Sequence, residues 1–178
     1  MEEIKRINRQ QVYHGVVIDV YKDTMLLPNN ATAEWDFIDH HGAAAVVAVL
    51  EDGRILMVRQ HRPAIERFTL ELPAGKIDEV GESKKACAAR ELEEETGYKA
   101  SALELLVTVD TTVAICNEEI EIYLATGLVK TAQHLDEDED INVEAYKLDD
   151  LIEMIRRQEI KDSKTVAGIL AYKVLADR

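Results

Sequence analysis

The chain has 178 residues, 47% of them hydrophobic, and a formal net charge of −14. That apolar content suits one domain with a proper core and excludes a disordered chain. The acidity argues against a nucleic-acid polymer as partner, because neutralising phosphates takes a basic surface; a small phosphorylated ligand stays open if a metal ion supplies positive charge locally.

The two cysteines, Cys87 and Cys116, have no metal-type spacing, which favours free thiols in a reducing compartment. No hydrophobic segment follows residues 1–6, and the longest apolar run, 43–50, is far too short to cross a bilayer. The expectation is a cytoplasmic protein without membrane contact.

In chain order, residues 15–20 and 24–27 read as short strands, ended by the turn-prone Pro28-Asn29-Asn30. Runs 43–50 and 55–58 are joined across Asp52-Gly53, a hairpin signal. The first is apolar at nearly every position, as in a strand buried on both faces. A short strand at 69–72 leads into Pro73-Ala74-Gly75. Ser83 can cap a helix over 84–96 that Gly97 ends. Strands follow at 103–109, 120–125 and 143–148, with Ile120, Ile122 and Leu124 alternating with Glu121 and Tyr123. Asp149 can cap a helix carrying Leu151, Ile152 and Ile155. Asp162 or Ser163 can cap the last one, with Val166, Ile169, Leu170 and Val174 on one face. His40 and His41 read as neighbours on a strand, pointing to opposite faces and unable to chelate one ion. The pattern is α+β or α/β: a mixed sheet with helices on each side.

The helix at 84–96 carries the chemical signal. Glu91, Glu94 and Glu95 stand at i, i+3 and i+4, on one arc of its surface. They repel one another and lie in the last turns, at the negative end of the macrodipole, each at a cost of about 0.3–1 kcal/mol. A divalent cation reverses that reasoning, because clustered carboxylate oxygens are what Mg²⁺ binds. A second acidic run, Asp136-Glu137-Asp138-Glu139-Asp140, falls between two predicted strands. It is not an EF-hand loop, since Ile141 stands where glycine is needed and Lys147 where glutamate is. It can supply the further carboxylate that a metal-dependent hydrolase needs to deprotonate water.

The segment from Gly75 to Tyr98 resembles the Nudix box: Gly, five residues, Glu, seven residues, then Arg-Glu-aliphatic-any-Glu-Glu-any-Gly-hydrophobic. Every fixed position from Glu82 to Tyr98 is filled. The departure is in the loop, where six residues separate Gly75 from Glu82, the extra one near Val80. The chain is further similar to the ADP-ribose and nucleoside-diphosphate-sugar pyrophosphatases of that superfamily, over roughly residues 12–175. The shared pieces are Gln60-His61-Arg62, the stretch from Glu71 to Gly75, Asn117-Glu118, Tyr123-Leu124-Ala125 and an acidic loop before Ile141.

The resemblance implies an α/β/α sandwich, that is, a Nudix fold with a mixed sheet and an N-terminal β-strand region. Residues 1–40 would serve dimerisation, with N-terminal strands possibly exchanged, and 41–178 would form the hydrolase domain. It implies Mg²⁺, with Mn²⁺ as a substitute, held by the Ala74 carbonyl, Glu91, Glu95 and Glu139. Glu94 would lie close by, Arg90 would hold the carboxylates in place, and Glu137 would be the general base, with Glu137 and Glu139 exchangeable in role. Arg62 would face the diphosphate, Trp35 would stack on adenine, and Glu118 belongs with the substrate contacts. A family arginine near Trp35 is absent, since none occurs between Arg9 and Arg54.

The implied activity is hydrolysis of ADP-ribose, or a similar nucleoside diphosphate sugar, to AMP and ribose 5-phosphate. The alternatives are a pyrophosphatase for GDP-mannose or UDP-sugars, or a nucleotide-sensing module without catalysis. The intact glutamate triplet speaks against the last.

Overall fold

The computed structural model describes residues 3–77, 81–135 and 139–177. Contacts divide the chain into two units, Met1–Gly42 with Asp110–Glu118, and Ala43–Val109 with Glu119–Arg178.

The first unit is an antiparallel sheet of β1 (Lys5–His14), β2 (Asp19–Leu26) and β3 (Thr32–Asp39), in that order. Two sequence expectations are corrected here. The segment 15–18 is a turn, closed by the Gly15 N–H donating to the Ile18 carbonyl at 3.0 Å, and β2 starts only at Asp19 and runs unbroken to Leu26. His40 and His41 follow β3 instead of lying on a strand; the His40 N–H donates to Asn117 Oδ1 at 2.8 Å and its Nδ1 accepts from the Gly42 N–H at 3.0 Å.

The strand β1 is exposed at nine of ten positions. It is therefore held by cross-strand pairs more than by a core. The main pair is Arg9 with Asp23, directly opposite in register and joined by two hydrogen bonds of 2.7 and 2.6 Å. The Arg9 guanidinium also lies over the Phe37 ring, 3.9 Å from its centroid. That bonding holds the buried Asp23 carboxyl below the usual carboxylate range.

The second unit is built on β4 (Ala43–Val49), which pairs antiparallel with β5 (Ile55–Arg62) and β7 (Ala74–Lys76) and parallel with β9 (Glu119–Lys130). Outside these, β6 (Arg67–Glu71) and β10 (Ile141–Tyr146) join β5, and β8 (Tyr98–Asp110) joins β9. The unbroken apolar run of β4 is buried on both faces, as its sequence predicts. Ala45 and Val47 pack into a cluster with Leu151 of α2 (Leu148–Arg156) and Ile169 of α3 (Ser163–Ala176). Ala44, Val46 and Ala48 pack with Cys87, Ala88 and Leu92 of α1 (Lys84–Thr96). One helix on one face and two on the other make the α/β/α sandwich.

The caps explain the helix ends. Ser83 Oγ accepts from the Ala86 N–H at 3.2 Å, and Gly97, at φ 69°, donates its N–H to the Glu93 carbonyl at 2.8 Å. Asp162 caps α3, its Oδ2 accepting from the Thr165 N–H at 3.0 Å. Asp149 does not cap α2. Lys147 holds that place without a side-chain bond, and Asp149 and Asp150 sit in the first turn, where their charge suits the helix dipole. Among the described residues no helix is long and apolar enough to cross a membrane.

Candidate active site

The glutamates of α1 meet the chain that turns from β6 into β7. Leu92 and Ala88 anchor α1 to the sheet, both fully buried, which turns Glu91 and Glu95 inward, at 7% and 2% exposure. Glu95 Oε2 accepts the Ala74 N–H at 2.9 Å. Glu91 lies against Gly75 so closely that a β-carbon there would fall 1.8 Å from its Oε1. A larger residue there would have to displace the Glu91 carboxylate.

Arg90 ties the carboxylates together. Its Nη1 donates to Glu91 Oε1 at 2.8 Å and to Glu94 Oε2 at 2.9 Å, its Nε to Glu82 Oε1 at 3.0 Å, and its Nη2 to the Lys76 carbonyl at 3.2 Å. One guanidinium thus serves three carboxylates, and the negative charge is in excess. Burial pushes Glu91 up to about 7, with Arg90 opposing and Glu94 and Glu139 adding to the rise. Burial pushes Glu95 up to about 8, with the Ala74 N–H opposing and Glu91 and Glu139 adding. Glu139 is itself exposed, but its charge reaches both.

This donor set fits a hard divalent cation: oxygen ligands only, with Glu91 and Glu95 shielded from water and short of positive charge. Among the described residues no three His, Cys, Asp or Glu side chains form a complete metal cluster. Glu137, the expected base, and Val80, the expected loop insertion, lie outside the described residues.

A third buried carboxylate of this unit, Glu71, lies at the end of β6 with 2% exposure. Its Oε1 accepts from Arg62 Nε at 2.8 Å and Thr69 Oγ1 at 2.6 Å, and its Oε2 from Arg62 Nη2 and Lys164 Nζ, both at 2.6 Å. Burial alone would raise it, but Arg62, Lys164 and Thr69 hold it down at about 2. Arg62 is the arginine expected to face a diphosphate. It keeps 41% of its side chain exposed, borders a cleft of about 480 Å³ with Phe68, Lys161 and Lys164, and lies within electrostatic reach of Glu95.

Trp35 and Glu118 belong to the first unit. Trp35, on β3, is 45% exposed and borders a cavity of about 240 Å³ with Arg6, Arg9, Phe37 and residues 113–117. Glu118 Oε2 accepts from Thr111 Oγ1 at 2.6 Å, and its Oε1 lies 3.6 Å from His40 Nε2. Although no arginine lies near Trp35 in sequence, Arg6 and Arg9 of β1 border the same cavity.

The sequence matches the NUDIX domain over residues 39–168. The chain belongs to the Nudix family. Among curated Nudix relatives, the ADP-ribose pyrophosphatase of Bacillus subtilis (strain 168) is 38% identical over 169 residues, covering 94% of this chain and 91% of that protein. The methanol dehydrogenase activator of Bacillus methanolicus is also 38% identical, with the same coverage. The crystal structure of an ADP compounds hydrolase superposes with a TM-score of 0.88 at 19% identity, covering 99% of this chain and 96% of that one, and shows the same fold.

The sequence pattern does not mark Glu71 and Lys164 as site residues. A signal for Lys164 exists: it stands in the first turn of α3, at the positive end of the helix dipole, where a cation costs about 0.3–1 kcal/mol unless something compensates.

Proposed function

We propose that this Nudix protein hydrolyses the diphosphate of ADP-ribose, or of a closely related nucleoside diphosphate sugar, in a reaction that depends on Mg²⁺ or Mn²⁺. The observation that carries the reading is the Glu91–Glu95 pair, buried, ionisable and short of countercharge beside Ala74. The similarity to the pyrophosphatase of Bacillus subtilis supports the substrate class.

In this reading Glu91, Glu95, Glu139 and the Ala74 carbonyl hold the cation. When bound, it neutralises diphosphate charge and makes phosphorus more open to attack. Arg90 keeps Glu91 and Glu94 oriented, and Arg62 presents its exposed guanidinium edge to the diphosphate. Glu137 takes a proton from the attacking water as the new oxygen–phosphorus bond forms. The bridging phosphorus–oxygen bond breaks, releasing AMP and ribose 5-phosphate.

Trp35 stacks on adenine, Glu118 contacts the substrate, and residues 1–40 form a homodimer, with strand exchange as the implied mode. Exposed Ile7, Val12, Tyr13, Val16 and Val17 support the dimer, since a second copy would cover them. A cytoplasmic location completes the proposal.

The test is a panel of ADP-ribose, GDP-mannose and UDP-sugars incubated with Mg²⁺, with products separated by chromatography. AMP and ribose 5-phosphate from ADP-ribose is the expected outcome. No cleavage of any member would contradict the reading. The equal identity to the methanol dehydrogenase activator favours a second reading, that this chain alters the rate of a dehydrogenase; adding it to a dehydrogenase assay with and without Mg²⁺ tests that.

A further inference from the structure

The four residues that lead from β6 into β7 are each fastened to a different place. Glu71 accepts from Lys164 Nζ at 2.6 Å, and the Leu72 N–H donates to Thr165 Oγ1 at 2.9 Å. The Pro73 carbonyl accepts the Val46 N–H at 2.9 Å, and the Ala74 N–H donates to Glu95 Oε2 at 2.9 Å. The first two of these fastenings come from neighbouring residues in the first turn of α3, 93 residues away in sequence.

Lys164 is the unusual member. It is 9% exposed and stands at the cationic end of a helix that has no acidic residue in its first turn. Its ammonium bridges two carboxylates, Glu71 and the cap residue Asp162, whose Oδ2 it reaches at 3.0 Å. Asp162 in turn accepts from the Thr165 hydroxyl at 2.6 Å, so the cap, Lys164 and Thr165 form one connected group. Glu71 is then gripped from two sides, by Lys164 and by both donor nitrogens of Arg62. A carboxylate held that way fixes the guanidinium plane in return.

We propose that Lys164 is a positioning residue for the hydrolase reaction, acting through Glu71 to aim Arg62 and to hold the Leu72–Ala74 turn against Glu95. The inference rests on the reading of the site as a diphosphate hydrolase. Lys164 borders the same cleft as Arg62 and its charge reaches Glu95, but its hydrogen bonds go to Glu71 and Asp162; without it, Glu71 keeps only Arg62 as a charged partner, and the two can move together. The first turn of α3 therefore belongs to the catalytic apparatus although no reacting atom touches it.

The test compares the full-length protein with Lys164→Met, Arg62→Ala and the double variant, using ADP-ribose and Mg²⁺. Lys164→Met is expected to lower kcat/KM at least tenfold. In the Arg62→Ala background the same change should cost no more than about twofold, because its effect passes through Arg62. An equal loss in both backgrounds would overturn the proposal.

Amide exchange supplies a readout independent of turnover. In Lys164→Met the Leu72 and Ala74 amides should exchange at least tenfold faster while those in the middle of α3 keep their protection. Unchanged protection at Leu72 and Ala74, or a loss spread through all of α3, would also overturn it. Should Lys164→Met not fold, Lys164→Gln carries both measurements. If the wild-type protein leaves ADP-ribose intact, the functional reading fails separately, and the exchange data still decide whether Lys164 holds the turn.

Discussion

Glu71 and the Glu91–Glu95 pair are carboxylates of similar burial in the same unit, on either side of the turn at Leu72–Ala74, and their surroundings differ sharply. Glu71 receives hydrogen bonds from Arg62, Lys164 and Thr69 and is held down at about 2. Glu91 has a share of Arg90 and Glu95 has one backbone N–H, both beside other carboxylates, and burial pushes them up to about 7 and about 8. Burial is common to both regions; the supply of donors is not. A buried charge with its partners present is a fastening, whereas a buried carboxylate short of them would gain from a cation. The same unit therefore separates a fully partnered carboxylate from two underpartnered ones by how many donors it aims at each.

The largest effect should come from removing a charge on the undersupplied side. Glu95→Gln is expected to lower kcat by orders of magnitude, because an amide cannot stand in for a charged ligand. The cation-free protein should meanwhile keep its fold and gain stability at pH 8, where the buried carboxylate was a liability. Kinetics and melting curves on one preparation check both halves, and undiminished turnover would end the metal assignment.

Next comes the mirror experiment. Glu71→Gln leaves Arg62 and Lys164 without their shared anion, and breaking such a buried pair costs about 3–5 kcal/mol. Urea unfolding should show that loss at neutral pH. The sign with pH is fixed by the depressed value: the stabilisation is complete above the ordinary carboxylate range, near 4.5, and disappears as pH falls toward about 2. A variant as stable as wild type at pH 7 would remove the contrast between the two regions.

The smallest effect concerns the first unit. A base stacked on indole contributes roughly 1–3 kcal/mol, so Trp35→Ala should raise KM for ADP-ribose about tenfold or more with a smaller change in kcat. An unchanged KM would leave Trp35 a plain sheet residue.

Much of this arrangement is legible in the sequence because its causes are local. Ser83, Gly97 and the carboxylates between them define α1 and its unusual charge, and the unbroken apolar run of β4 announces burial on both faces. The strand β1 escapes a pattern reading because it buries no face of its own; its pairing shows only when Asp23 is seen opposite Arg9. The turn at 15–18 escapes for the opposite reason, since Val16, Val17 and Ile18 look like strand residues yet Val16 stands 99% exposed. The grip on Glu71 joins residues 93 apart. No local pattern encodes that distance, and only the misplaced charge of Lys164 hints at it.

The most direct test of the contrast is thermal melting with and without Mg²⁺ at pH 5 and pH 8. Glu91 and Glu95 have folded values raised above the ordinary 4.5, so the folded state holds the extra protons and cation-free stability should fall as pH climbs from there toward about 8. The slope is up to about 1.4 kcal/mol per pH unit for each group. Mg²⁺ at a hundred times its dissociation constant should return about 2.7 kcal/mol at pH 8, roughly 5–11 °C in Tm for a chain of this size, and much less at pH 5. A Tm that ignores Mg²⁺ at both pH values, or a cation-free protein that grows more stable from pH 5 to pH 8, would contradict the account.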